Sequence, residues 1–127
     1  MIEGLGIDII DINRIRKVIR KYGNKFKTRC FHYNEILKSE NRLKTIESFA
    51  KRYAAKEACA KALGTGLARG VFWKDIEVKN DNLGKPFIIL HNNAKKILKN
   101  KFSENCKIEL SMSDEKEYAI ANVLIYK

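Results

Sequence analysis

The sequence predicts an α+β fold in which an antiparallel sheet packs on one long central helix. The helix is predicted by residues 49–66, FAKRYAAKEACAKALGTG, where six of the thirteen residues from Ala50 to Ala62 are alanine, the strongest helix former. Gly64 stands where a left-handed C-terminal cap is expected, so the helix should end near Leu63. The sheet is predicted by apolar alternation at residues 2–10, 72–79, 86–90, 107–113 and 118–126, the last four grouped in pairs around turn-forming residues. At 127 residues the chain fits one domain, 1–127, with a core large enough to need no disulfides.

Taken in order, residues 2–10 form a strand with Leu5, Ile7 and Ile9 on one face and Gly4, Gly6, Asp8 and Ile10 on the other. Asp8 is a lone acid on an apolar strand: either backbone N–H groups satisfy it at the strand's end, or it is a metal carboxylate. Gly4 and Gly6 open the strand instead of following it into a helix, which does not support a dinucleotide-binding fold. Asp11 or Asn13 can cap the next helix, with Ile12, Ile15, Ile19 and Tyr22 as its buried face and Gly23 as its end. Residues 34–39 suggest a short helix, and 41–45 a polar connection to the central one. After that helix, GTGLARG at 64–70 is glycine-rich but lacks the GK[ST] ending of a phosphate loop.

Strands at 72–79 and 86–90 turn about Asn80-Asp81-Asn82-Leu83-Gly84. Residues 92–101 read as a lysine-rich helix with Ala94, Ile97 and Leu98 inward. The closing hairpin turns about residues 114–117, placing Ser111, Ser113 and Asp114 in a polar cluster at its tip. Its last strand is apolar on both faces, Ile120 and Leu124 alternating with Ala119, Ala121, Val123 and Ile125. One face can pack on the central helix. The other needs cover, from a neighbouring subunit's sheet, with Val123 in the contact, or from the helix at 92–101.

Lysine and arginine outnumber Asp and Glu by 26 to 15, a formal charge of +11, so an anionic partner is expected: nucleic acid, an anionic membrane or an acidic protein. The charge is concentrated. Between Ile12 and Arg29 there are eight basic residues and no acid, a stretch that forgoes every local ion pair. Three cysteines without a CxxC pair and the absence of an apolar leader point to the cytoplasm. No apolar run reaches the ~20 residues that span a bilayer.

On the central helix Glu57 falls, at ~100° per residue, between Tyr53 and Ala50, inside what reads as the apolar stripe. Lys61 follows at i+4, so a helix ion pair worth a few tenths of a kcal/mol is one explanation. It accounts for the pair but not for a carboxylate among apolar neighbours, which calls for a metal or a cation. A nucleic-acid-binding module would fit the charge but leave Asp8 and Glu57 unexplained.

Four blocks occur together: GLGIDII at 4–10, KRYAAKEACAKALGTG at 51–66, the WKDIEV…NDxxGKP run at 73–86, and SMSDEKEYAIA at 111–121. In this order and spacing the chain resembles the small bacterial holo-acyl-carrier-protein synthases, a branch of the 4′-phosphopantetheinyl transferases, over nearly its whole length. The resemblance implies that fold, and transfer of phosphopantetheine from coenzyme A to a serine of acyl carrier protein, with Mg²⁺ as cofactor. It implies Asp8 and Glu57 as the magnesium carboxylates, Lys61 as the active-site lysine at the departing phosphate, and Lys56 in phosphate contact. Gly64, Thr65, Gly66, Pro86, Ser113 and Asp114 would touch coenzyme A; the proton acceptor for the serine stays open between Glu57, a magnesium-bound water and solvent. Some members carry a histidine in the last motif where this chain has Asp114, so that histidine's role does not carry over. The helix bearing Arg14, Lys17, Arg20 and Lys21 would bind the acidic carrier, which argues against nucleic acid or membrane as the partner. The resemblance also implies a homotrimer with active sites between subunits. A catalytically dead scaffold would need loss of Asp8, Glu57 or Lys61, and all three are present.

Overall fold

The computed structural model describes residues 1–127. Strand β1 (Ile2–Asp11) leads into helices α1 (Ile12–Tyr22), α2 (Asn24–Cys30) and α3 (Tyr33–Glu40), then the long helix α4 (Thr45–Leu63). A 3₁₀ turn (Trp73–Asp75) precedes the hairpin β2 (Ile76–Asn80) and β3 (Pro86–Leu90). Helix α5 (Asn92–Ile97), continued by a π-helical turn (Leu98–Phe102), leads to the closing hairpin β4 (Lys107–Glu115) and β5 (Tyr118–Tyr126). The two sheets are antiparallel: three strands in the order β1-β5-β4, and the separate pair β2-β3.

Helix α4 begins four residues before the alanine-rich stretch and ends at Leu63, where Gly64 takes the left-handed conformation at φ 82°. It is buried on almost every side. Small side chains permit this: a Cβ on Gly6 would stand 1.9 Å from the Ala58 carbonyl oxygen, and one on Gly4 2.5 Å from that of Ala62. The two glycines of β1 therefore let the strand lie directly on the helix backbone. The all-round burial changes the reading of Glu57. It does not lie inside an apolar stripe; Tyr53, Glu57 and Lys61, at i, i+4 and i+8, line a seam where the helix reaches solvent.

Asp11, not Asn13, caps α1, its side chain accepting from the Asn13 N–H at 2.9 Å. Ile12 and Ile15 are buried as expected, but Tyr22 is exposed. Helix α2, hidden in the basic run, has no apolar period to announce it. The segment expected as a strand from residue 72 begins with the 3₁₀ turn, because the Phe72 N–H donates to the Asp75 carboxylate and folds the chain back. Ser111 to Asp114 lie within β4, and the turn is only Lys116-Glu117. Consecutive strand residues face opposite ways, so Ser111 and Ser113 point outward while Asp114 points toward α4, and they form no single cluster.

Ala119, Ala121, Val123 and Ile125 fill the sheet's inner face and are fully buried. Val123 is thus a core residue, not an interface one. The outer face carries Leu5, Ile7 and Ile9, exposed by 65%, 55% and 61%, together with Ile120. Helix α5 does not cover it. No helix is long and apolar enough to cross a membrane.

Candidate active site

Asp8 lies on the inner face of β1, and Glu57 emerges from the adjacent flank of α4. The two carboxylates are close enough to act on one another: burial, then the charge of Asp8, raise the Glu57 carboxyl above its ordinary value, while Lys61 and Arg14 pull it down. The helix ion pair between Glu57 and Lys61 does not form. Lys61 instead turns to the strand, donating to the Ile7 carbonyl at 3.0 Å and to Asp8 Oδ1 at 3.2 Å. Asp8 therefore holds an ammonium, and Glu57 keeps a carboxylate that no lysine engages. Two partly solvated carboxylates from distant parts of the chain suit Mg²⁺, which takes few protein oxygens and completes its shell with water and substrate phosphate.

The basic helix borders this pair. Arg14, Lys17, Arg20 and Lys21 are half-exposed or exposed on α1, and none makes an ion pair within the chain. Arg14 stands near enough to influence both Glu57 and Tyr53. A positive surface thus runs continuously into the acid pair. Gly64, Thr65 and Gly66 lie at the end of α4, about one turn beyond Lys61, where Gly64 and Thr65 line an open basic cavity with Arg69, Lys96 and Lys101.

Pro86 and Asp114 are elsewhere. Lys51 Nζ reaches Asp114 Oδ1 at 3.1 Å and Lys44 lies 4.0 Å from its other oxygen. Arg42, Lys51, Arg52, Gly84 and Pro86 line a small cavity of about 180 Å³ on that side of α4. Arg42, Lys44 and Lys51 form a basic cluster that sequence reasoning missed, since nothing in their spacing distinguishes them from other surface lysines and arginines. Strand β5 separates β1 from β4, and strands are ~4.8 Å apart, so Asp8 and Asp114 sit on opposite flanks of the helix.

Lys56 requires a correction. Its side chain is fully buried and points away from the acid pair, donating to Glu35 Oε1 at 2.8 Å, to the Trp73 carbonyl at 3.1 Å and to the Ile76 carbonyl. All three ammonium protons are engaged, so no phosphate can reach it. Glu35, in turn, accepts from the His32 and Val78 N–H groups. The pair anchors α3, α4 and β2 to one another.

An acid pair with a lysine, beside an unpaired basic helix and a second basic cavity, could hold a divalent cation and a phosphorylated ligand. Comparison with known proteins makes the class specific. Residues 4–123 match the model of the 4′-phosphopantetheinyl transferase superfamily. The holo-[acyl-carrier-protein] synthase of Agrobacterium fabrum is 50% identical over 127 residues, covering 98% of this chain and 95% of that protein. The crystal structure of the Neisseria meningitidis holo-[acyl-carrier-protein] synthase superposes with a TM-score of 0.89 at 37% identity, covering all of both chains. The Helicobacter pylori synthase, solved in complex with coenzyme A, gives a TM-score of 0.83 at 29% identity, covering 96% of this chain and 99% of that one. The chain belongs to the holo-acyl-carrier-protein synthase branch of the phosphopantetheinyl transferases.

Proposed function

We propose that the chain, acting as one domain over residues 1–127, transfers 4′-phosphopantetheine from coenzyme A to a serine of apo-acyl carrier protein. The observation that carries this reading is the convergence of Asp8, Glu57 and Lys61 at the border of the unpaired basic helix α1. An acidic carrier docked on Arg14, Lys17, Arg20 and Lys21 would present its serine to the acid pair. The serine Oγ attacks the phosphorus on the pantetheine side of the pyrophosphate, the bridging P–O bond breaks, and adenosine 3′,5′-bisphosphate leaves. The serine proton passes to a base at the site, for which Glu57, whose carboxyl burial and Asp8 raise above its ordinary value, is one candidate.

Magnesium held by Asp8 and Glu57 would offset charge on the pyrophosphate. Lys61, released from Asp8, is placed to stabilise the departing phosphate. At the other end of coenzyme A, the cavity beside Pro86 suits the nucleotide, with Arg42 and Lys51 toward its phosphates; Asp114 orients Lys51 and Lys44 instead of meeting phosphate itself, since two anions repel. The Gly64-Thr65-Gly66 loop, beside Lys61, would contact the remainder of the donor.

The two parts lie on opposite flanks of α4, and the exposed face Leu5-Ile7-Ile9-Ile120 asks for a neighbour. Both features support a homotrimer in which one subunit supplies Asp8, Glu57 and Lys61 and the next supplies the nucleotide cavity. A role with coenzyme A and the acyl carrier protein of fatty acid biosynthesis supports a cytoplasmic enzyme, and its three free thiols suit a reducing compartment. The test is to incubate the protein with coenzyme A, Mg²⁺ and an apo-acyl carrier protein and to weigh the carrier. A gain of one phosphopantetheine that ceases on adding EDTA is expected. Modification that continues unchanged in EDTA would remove the magnesium role, and no modification of several carriers would remove the activity.

A further inference from the structure

A second group of metal-ligating side chains lies on another flank of α4. Glu77, on β2, is 6% exposed, yet its one side-chain partner is a histidine: His91 Nε2 stands 2.9 Å from Glu77 Oε1. The ring of His32 lies beside that of His91, their centroids 5.0 Å apart. One ring nitrogen of each histidine and a carboxylate oxygen of Glu77 all lie within 4.8 Å of one another. We propose that His32, Glu77 and His91 form a binding site for a divalent transition metal of the zinc class, separate from the Asp8–Glu57 pair.

The ligand chemistry sets the class. Two imidazoles and one carboxylate suit Zn²⁺ and its first-row neighbours, which take nitrogen at about 2.0–2.1 Å; magnesium and calcium prefer an all-oxygen shell. Three protein ligands leave the fourth tetrahedral position to water. Ligands on one tetrahedral ion at those bond lengths stand about 3.4 Å apart, so the group must close by roughly an ångström, within reach of side-chain rotation. His32 Nε2 now meets the Lys74 carbonyl, a bond the ring would keep through one nitrogen or exchange for the metal. The nearest buried cation, Lys56, is already neutralised by Glu35. The ligands come from the N-caps of α3 and α5 and from β2, so metal would cross-link three segments around the buried Lys56–Glu35 pair.

The experiment uses the full chain stripped with EDTA, titrated with Zn²⁺ by calorimetry and with Co²⁺ by visible absorption. We expect one equivalent to bind, cobalt to show the strong visible bands of a tetrahedral site, and the double variant Asp8→Asn/Glu57→Gln to behave like the parent. His32→Asn, His91→Asn and Glu77→Gln should each weaken binding by more than ~100-fold, the upper end for loss of a second-sphere partner; asparagine is a favoured N-cap residue, so the helices should still form. A readout without mutation is available because the chain has only two histidines: both imidazole proton resonances should shift together and saturate at one equivalent. Zinc that fails to bind, that binds equally well in His32→Asn and His91→Asn, that is lost in Asp8→Asn/Glu57→Gln, or that moves only one imidazole would overturn the proposal.

Discussion

Removing the Lys56 ammonium, as in Lys56→Met, should destabilise the protein far more than it weakens coenzyme A binding. The substitution leaves the Glu35 carboxylate buried, with only the His32 and Val78 N–H groups to satisfy it, and strips a donor from the Trp73 carbonyl. Breaking a buried pair by removing one partner costs about 3–5 kcal/mol. Unfolding entropy of about 2.1 cal/mol/K per residue gives ~0.27 kcal/mol/K for this chain, hence a fall in melting temperature of roughly 11–19 °C. Adding Glu35→Gln, which keeps an acceptor for the two N–H groups but removes the stranded charge, should recover a substantial part of the loss. The assay is thermal unfolding at one fixed protein concentration, since assembly would make the melting temperature concentration-dependent, together with KM for coenzyme A measured well below the variant's transition. A melting temperature within about 3 °C of the parent's, with KM raised many-fold, would refute the burial argument and restore Lys56 as a phosphate ligand.

Three further outcomes follow from the site. Glu57 carries a raised carboxyl, so its contribution to stability is present below the unfolded value of about 4.5 and lost as pH rises through the folded one. In metal-free buffer Glu57→Gln should therefore raise the melting temperature at pH 7 and leave it unchanged near pH 4, while transfer activity falls by orders of magnitude; a lower melting temperature at pH 7 would contradict the acid-pair reading. Arg14→Glu with Arg20→Glu should weaken carrier binding many-fold more than coenzyme A binding, with added salt mimicking the effect; equal losses would mean that α1 reads phosphate. Ile7→Glu, on the exposed sheet face, should yield a folded monomer by sedimentation that no longer modifies the carrier, whereas Val123→Glu, in the core, should fail to fold; a monomeric Ile7→Glu protein with full turnover would sink the shared site.

The legible parts of the fold are those set by local chemistry. Alternation along residues 2–10 assigned the correct faces to Leu5, Ile7, Ile9 and to Asp8, and Gly64 marked the end of α4 to the residue. The parts that the sequence does not reveal depend on contacts between distant segments. Lys56 and Glu57 are neighbours in sequence and only ~100° apart on the helix, so no local pattern says that one faces Glu35 in the core and the other faces Asp8 at the surface. Helix α2 was invisible because its lysines and threonine carry no apolar period, and it forms by packing Phe26 against Phe31 and Tyr53. The His32, Glu77 and His91 group gave no signal at all, since its members come from three separate segments.

Glu57 sits at the boundary between core and solvent. A carboxylate inside an apolar stripe would call for a cation by desolvation alone; the structure puts it on a half-open seam, where burial raises its carboxyl but solvent and Arg14 limit the effect. Asp8, across the gap, adds to that rise. Had Lys61 paired with Glu57 along the helix, the call for a cation would have been met locally and the acids would have been an ordinary surface network. Because Lys61 crosses to β1 and binds the Ile7 carbonyl as well as Asp8, it can leave the carboxylate and keep a tether at 3.0 Å. Under the proposed mechanism, a lysine held in this way would turn toward the departing phosphate while keeping that tether.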